Sequence, residues 1–234
     1  MDYPIKSLLA ILLFALVHLF ANKARYLGDT LQRRLLSLGS GVAIAYVFID
    51  LLPKLGKNEP LITETIHKFF PFFERHAYVM ALLGFLLFYV VDRSNKLLGR
   101  HAYFYLSLSS YALFNMLIGY AVVDVDNPEV KPLFLFTLAI GLHYFANDYS
   151  LTMNFGKQYN HFAKWVLIVS LLVGWVIGFC TEISASAVAL ISAFIGGGVI
   201  MNIMRHELPS ERKNSLTTFL TAAGIYTAIL LMIG

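Results

Sequence analysis

The chain has 234 residues, of which 58% are hydrophobic and 14% charged, with a mean hydropathy of +0.69. Soluble domains carry about a quarter charged residues, so this composition excludes an ordinary water-soluble globule and indicates an integral membrane protein. The formal charge of +4 and a pI near 9.1 do not signal nucleic-acid binding, because the basic residues are scattered through short loops without a basic-aromatic motif.

Eight apolar segments follow one another: Ile5–Ala21, Leu36–Leu52, Ala77–Val91, Ala102–Val123, Leu133–Phe155, Phe162–Phe179, Ala185–Met204 and Thr217–Ile233. Each is read as a transmembrane helix, since about 20 apolar residues cross a hydrocarbon core of about 30 Å. The first is kept as a span rather than a signal peptide. It lacks a strongly basic start and a small-residue cleavage site, and Lys23 and Arg25 follow it. The longest connection, Pro53–His76, intersperses Leu61, Ile66, Phe69, Phe70, Phe72 and Phe73 with Glu64, Lys68, Glu74 and Arg75. It reads as an interfacial amphipathic segment around residues 60–75 within a single transmembrane domain, 1–234. The lone Cys180 excludes an intramolecular disulfide and any cysteine-cluster metal site.

With the N-terminus outside, the inner connections hold Lys23, Arg25, Arg33, Arg34, Arg93, Lys96, Arg100, Lys157, Lys164, Arg205, Arg212 and Lys213. These are 12 of the 18 basic residues. Most acidic loop residues fall on the other side, so both termini are expected outside, in a plasma or inner membrane.

The fifth segment breaks the apolar pattern. His143, Asn147, Ser150 and Asn154 recur at helical spacing as one polar stripe, with Asp148 beside it. An ionised side chain at mid-bilayer costs about 2.5–3.5 kcal/mol on insertion scales, so Asp148 must face protein, water or an ion. Two readings stand: a hydrogen-bonded interhelical network, or a substrate or ion site. A divalent ion such as zinc accepts imidazole and carboxylate with amide oxygens. The i, i+4 pair His143 and Asn147 can chelate, whereas Asp148 lies roughly 140° round the helix from His143 and pairs more naturally with Tyr144. Asn115, in the polar fourth segment with Ser107, Ser110 and Tyr111, completes a candidate metal set of His143, Asn147, Asp148 and Asn115.

The second segment, Ser40-Gly41 to Asp50-Leu-Leu-Pro53, registers without a gap on the seventh, Gly196-Gly197 to His206-Glu207-Leu-Pro209. Tyr46 then matches Asn202, Asp50 matches His206 and Pro53 matches Pro209. With eight spans these two helices run oppositely, as an inverted repeat of helices 1–3 on 6–8 requires.

These residues, together with Gly84-Phe-Leu-Leu-Phe-Tyr-Val-Val-Asp92-Arg93, resemble helices two, three and seven of the ZIP (Zrt/Irt-like) divalent-metal transporters. The resemblance implies an eight-helix bundle with metal bound between helices four and five, and an elevator-like motion. The family's fourth helix usually carries His-Asn-x-x-Glu/Asp-Gly, where this chain has Tyr111-Ala-Leu-Phe-Asn115-Met. The fifth usually carries His-Glu-x-Pro-Glu-Gly, where this chain has His143-Tyr-Phe-Ala-Asn147-Asp148. A binuclear carboxylate-rich site is therefore not carried over, and a monovalent cation, a proton or a neutral polar solute enters as cargo beside zinc.

The expectation is a ZIP-like cation transporter, not an enzyme, with no resident cofactor beyond a bound divalent cation. Its partners would be the bilayer, the transported ion or small polar solute and, in a homodimer, a second copy; no nucleic acid is expected. Tyr111, Tyr144, Asp50, Asn202, His206 and Glu207 are candidate gate or accessory residues. One alternative is a non-transporting scaffold or regulatory membrane protein. Another is an intramembrane zinc hydrolase using His18, His143 and His206 with Asp50 or Asp148. His206-Glu207 begins a zinc-hydrolase pattern, but Ser210 replaces its second histidine and Pro209 disturbs the turn. His18, His67, His76, His101 and His161 read as interfacial.

Overall fold

The computed structural model describes residues 3–66, 75–123, 130–181, 184–207 and 215–233. Among them the chain is helical throughout and forms no strand. Helix α1 (Tyr3–Phe20) ends in a tight 3-10 stretch, Ala21–Tyr26. Helix α2 (Asp29–Tyr46) passes through a π-turn, Val47–Leu51, into α3 (Leu52–Ile66). Then come α4 (His76–Ser94), α5 (Arg100–Ala121) and α6 (Val130–Phe155). A second π-turn, Tyr159–Ala163, opens α7 (Lys164–Cys180), followed by α8 (Ala185–Glu207) and α9 (Leu216–Ile233).

Among the described residues, six helical stretches are long and apolar enough to cross a bilayer: Ile5–Tyr26, Asp29–Lys57, His76–Ser94, Tyr159–Cys180, Ala185–Arg205 and Leu216–Ile233. Helices α5 and α6 have the length, 22 and 26 residues, but carry the polar residues singled out above. The lipid-type face is plain on the peripheral helices. Leu9, Leu13 and Leu16 of α1, Leu82, Leu86 and Val90 of α4, and Val169, Val173 and Val176 of α7 are large, apolar and exposed. Exposed apolar rows of this extent suit hydrocarbon, not water.

The helix expected to end near Leu52 does not end there. Pro53 lacks an N–H, and its ring crowds the carbonyl one turn back. The π-turn immediately before it widens the backbone and lets one helix continue from α2 into α3. Residues 60–66 of the expected interfacial segment therefore extend this helix, with Pro60 inside it; residues 67–74 lie outside the described ones.

Packing divides the helices into two groups. In one, α4 lies along α8, α2 along α9, and α3 against α8; in the other, α5 lies along α7 while α1 packs on α6 and α7. The groups meet where α2 contacts α6 and α5 contacts α8. Several close helix–helix approaches need glycine. A Cβ on Gly197 of α8 would overlap the Ala81 carbonyl of α4, and one on Gly41 of α2 would overlap the Phe219 carbonyl of α9. Without hydrophobic drive between helices in lipid, such backbone proximity supplies the packing.

Candidate functional site

The site lies where α1, α5, α6 and α8 converge. Helix α6 carries Asp148 inward, 1% exposed, and α1 meets it with His18, 0% exposed. His18 Nδ1 stands 2.6 Å from Asp148 Oδ2, and His18 Nε2 stands 2.8 Å from Asn115 Oδ1 on α5. The Asn115 amide donates from Nδ2 to the Tyr111 carbonyl at 2.8 Å. One helical turn back along α5, the Tyr111 hydroxyl donates to Asn202 Oδ1 of α8 at 3.0 Å. A polar thread thus runs from α6 through α1 and α5 to α8, flanked by Phe14, Phe88 and Phe114.

Hydrogen-bond logic fixes the proton inventory of this thread. Because Asn115 Nδ2 donates to Tyr111, its Oδ1 faces His18 and can only accept, so His18 Nε2 carries a hydrogen. At 2.6 Å, two bare lone pairs on His18 Nδ1 and Asp148 Oδ2 would repel, so a proton lies between them. The pair is either imidazolium–carboxylate or imidazole–carboxylic acid. Both forms have zero net charge and hold one proton more than an ionised Asp148 beside a neutral ring.

Tyr144 closes the node from α6. Its ring lies 4.6 Å from that of His18 and meets Phe14 edge-on, while its buried hydroxyl has no hydrogen-bond partner among the described residues. Asn202 likewise keeps its Nδ2 unpartnered. Thr152 donates to the Asp148 carbonyl at 2.7 Å, a helical back-bond, and the buried Tyr159 hydroxyl hydrogen-bonds to the Asp148 carboxylate beside His18.

The candidate metal set is divided by the geometry. Asn115 and Asp148 come together only through His18. His143 and Asn147 form a separate buried pair, in which Asn147 Nδ2 contacts His143 Nε2 at 2.9 Å. The amide donates, so that ring nitrogen accepts, and the chelating pair bonds to itself. Among the described residues, no group of three His, Cys, Asp or Glu side chains is placed to hold a metal ion. The polar stripe also does not stay inside: Ser150 is half-buried and Asn154 exposed.

The accessory residues scatter. Tyr111, Tyr144 and Asn202 belong to the node's surroundings. Asp50 sits in the first π-turn, partly exposed, and pairs with Lys54 at 2.9 Å one turn along. His206 and Glu207 are the last two residues of α8. Near that end Arg205 Nε meets Asp92 Oδ1 of α4 at 2.6 Å, and its Nη2 donates to the Tyr103 hydroxyl of α5 at 3.3 Å. This three-helix tie was not among the candidates.

His18 is the central correction, since the sequence reading placed it at an interface. His76 is buried too, while His101 and His161 are exposed as expected. The signal for His18 was present: an ionisable residue inside the run Leu-Val-His18-Leu-Phe is a functional candidate by default. A scan against protein-family models finds no match to this chain, and no curated protein matches it significantly.

Proposed function

We propose that the chain is a membrane transporter of a cation, built as an eight-span, ZIP-like inverted repeat, whose cargo exchanges with the proton held between His18 and Asp148. The observation that carries this reading is the buried, proton-sharing imidazole–carboxylate pair, reached by three helices that converge from opposite sides of the node. A cation arriving at Asp148 must displace that proton, because carboxylate and imidazole cannot serve both. With only one carboxylate at the node, the reading favours a single, mononuclear ion such as zinc, or a monovalent cation, over a binuclear centre.

The repeat is supported by equivalent contacts. The registered glycines Gly41 and Gly197 each press on the backbone of a partner helix, α9 and α4 respectively. The pairs α4–α8 and α2–α9, α1–α6 and α5–α7, and α2–α6 and α5–α8 exchange under the same two-fold relation. Charge asymmetry supports both termini outside.

The alternative is a non-transporting scaffold. It is favoured by the closed hydrogen bonding around His18 and by the lack of a three-ligand metal group among the described residues. Proteoliposome flux separates the two. Asp148→Asn preserves shape, and its amide can donate to a neutral His18 Nδ1, so the fold is retained while the exchangeable proton is gone. Under the transport reading, cation uptake and its accompanying proton efflux fall at least about tenfold. Wild-type liposomes that carry no zinc, monovalent cation or proton flux would establish the scaffold instead.

A further inference from the structure

Helix α4 starts at His76, and the residue before it, Arg75, adopts a left-handed conformation (φ 65°) and supplies no side-chain cap. The first N–H groups of a helix need acceptors from elsewhere. Glu59 of α3 supplies one: its Oε2 accepts from the Ala77 N–H at 3.0 Å, placing negative charge at the positive end of α4. The carboxylate is thereby held in place. Its other oxygen, Oε1, lies 3.7 Å from His76 Nδ1, beyond hydrogen-bond range.

Three atoms are left over. Among the described residues, Glu59 Oε1, His76 Nδ1 and His76 Nε2 are all buried without a hydrogen-bond partner, and His76 is only 7% exposed. Leaving one such group unsatisfied costs about 1–3 kcal/mol, and an imidazole with both nitrogens unpaired is uncommon in a buried setting. A shared ion satisfies two of the three, Oε1 and Nδ1, and leaves the ring's hydrogen on Nε2. Two ligands each about 2.0 Å from a tetrahedral ion lie about 3.3 Å apart, so the observed gap needs to contract by only a few tenths of an ångström. The Ala77 N–H then acts as the outer-shell group that orients the carboxylate. Helices α3 and α4 stay close beside this point, where the Tyr78 hydroxyl lies 3.2 Å from the position a Cβ on Gly56 would occupy.

We propose that Glu59 and His76 form a binding site for a divalent transition metal of the zinc class, which clips α3 to the start of α4. One imidazole with one carboxylate selects such borderline ions over calcium or magnesium, which prefer all-oxygen shells. With two protein ligands the remaining positions go to water. The site is separate from the His18–Asp148 node and does not depend on the transport reading.

The test is Zn²⁺ binding by the purified full chain in detergent, at about pH 7.5, against a chromophoric competitor chelator. Glu59→Gln keeps an oxygen for the Ala77 N–H and nearly the same shape, so the α4 cap survives; His76→Gln removes the ring. Each is expected to weaken one Zn²⁺ site at least about tenfold, as loss of even an outer-shell group does. Calcium at the same concentration should not compete. Unchanged Zn²⁺ affinity in folded Glu59→Gln overturns the proposal even if His76→Gln fails to fold, and so does a wild-type chain that binds no Zn²⁺ or is displaced by calcium. Zn²⁺ binding lost in both variants while liposome flux is unaltered leaves this site standing and the transport reading to be judged on Asp148 alone.

Discussion

Two imidazole–carboxylate pairs in this molecule look alike in composition and differ in bonding. His18 and Asp148 touch at 2.6 Å, and the far ring nitrogen is anchored by Asn115. His76 and Glu59 stand 3.7 Å apart, and both ring nitrogens are unanchored. The first pair closes its own valences by holding a proton; the second leaves them open and invites a third body. The difference comes from the neighbours. Asn115 offers His18 an acceptor, whereas Glu59 is already drawn aside by the helix terminus at Ala77.

The largest expected effect breaks the closed pair. Asp148→Ala or His18→Ala leaves one buried partner uncompensated, and each should cost about 3–5 kcal/mol of stability. The double substitution should cost distinctly less than the sum of the two, which a double-mutant cycle of unfolding in micelles would read. Additive losses would mean that the two side chains are not coupled. A smaller effect is expected at the open pair: Glu59→Ala removes the α4 cap and should cost about 1 kcal/mol, with Glu59→Gln retaining most of it. Equal losses in both would show that charge, not the cap, is what matters there. The smallest sits beside the closed pair, at Tyr144. Its hydroxyl has no partner, so Tyr144→Phe should change stability by less than about 1 kcal/mol and in the stabilising direction. A clear loss would reveal an acceptor for that hydroxyl.

The helical segments were legible because apolar runs of bilayer length have few other uses, and α6 begins three residues before the segment expected from sequence. The inward burial of Asp148 was legible for an energetic reason: a carboxylate within such a run must find a partner. That of His18 was not, because the apolar run of the sequence ends at Ala21 and puts His18 close to its end. The chain instead continues helically to Tyr26 as a 3-10 stretch, which sets His18 deeper than a span end. The passage through Pro53 was hidden for a related reason. Proline ordinarily stops a helix, and a π-turn that absorbs it leaves no compositional mark. Gly41 and Gly197 both sit at backbone contacts, as their small size led one to expect; Pro209, the other end of the proposed register, lies outside the described residues.

The proton between His18 and Asp148 has an electrical consequence. Moving one elementary charge across a membrane potential takes about 2.3 kcal/mol per 100 mV. An unpaired Asp148 carboxylate displaced through the bilayer would work with or against that field at every step. With its proton in place the closed pair has zero net charge, so a shift of α6 together with α1 in that state carries no gating charge from this node.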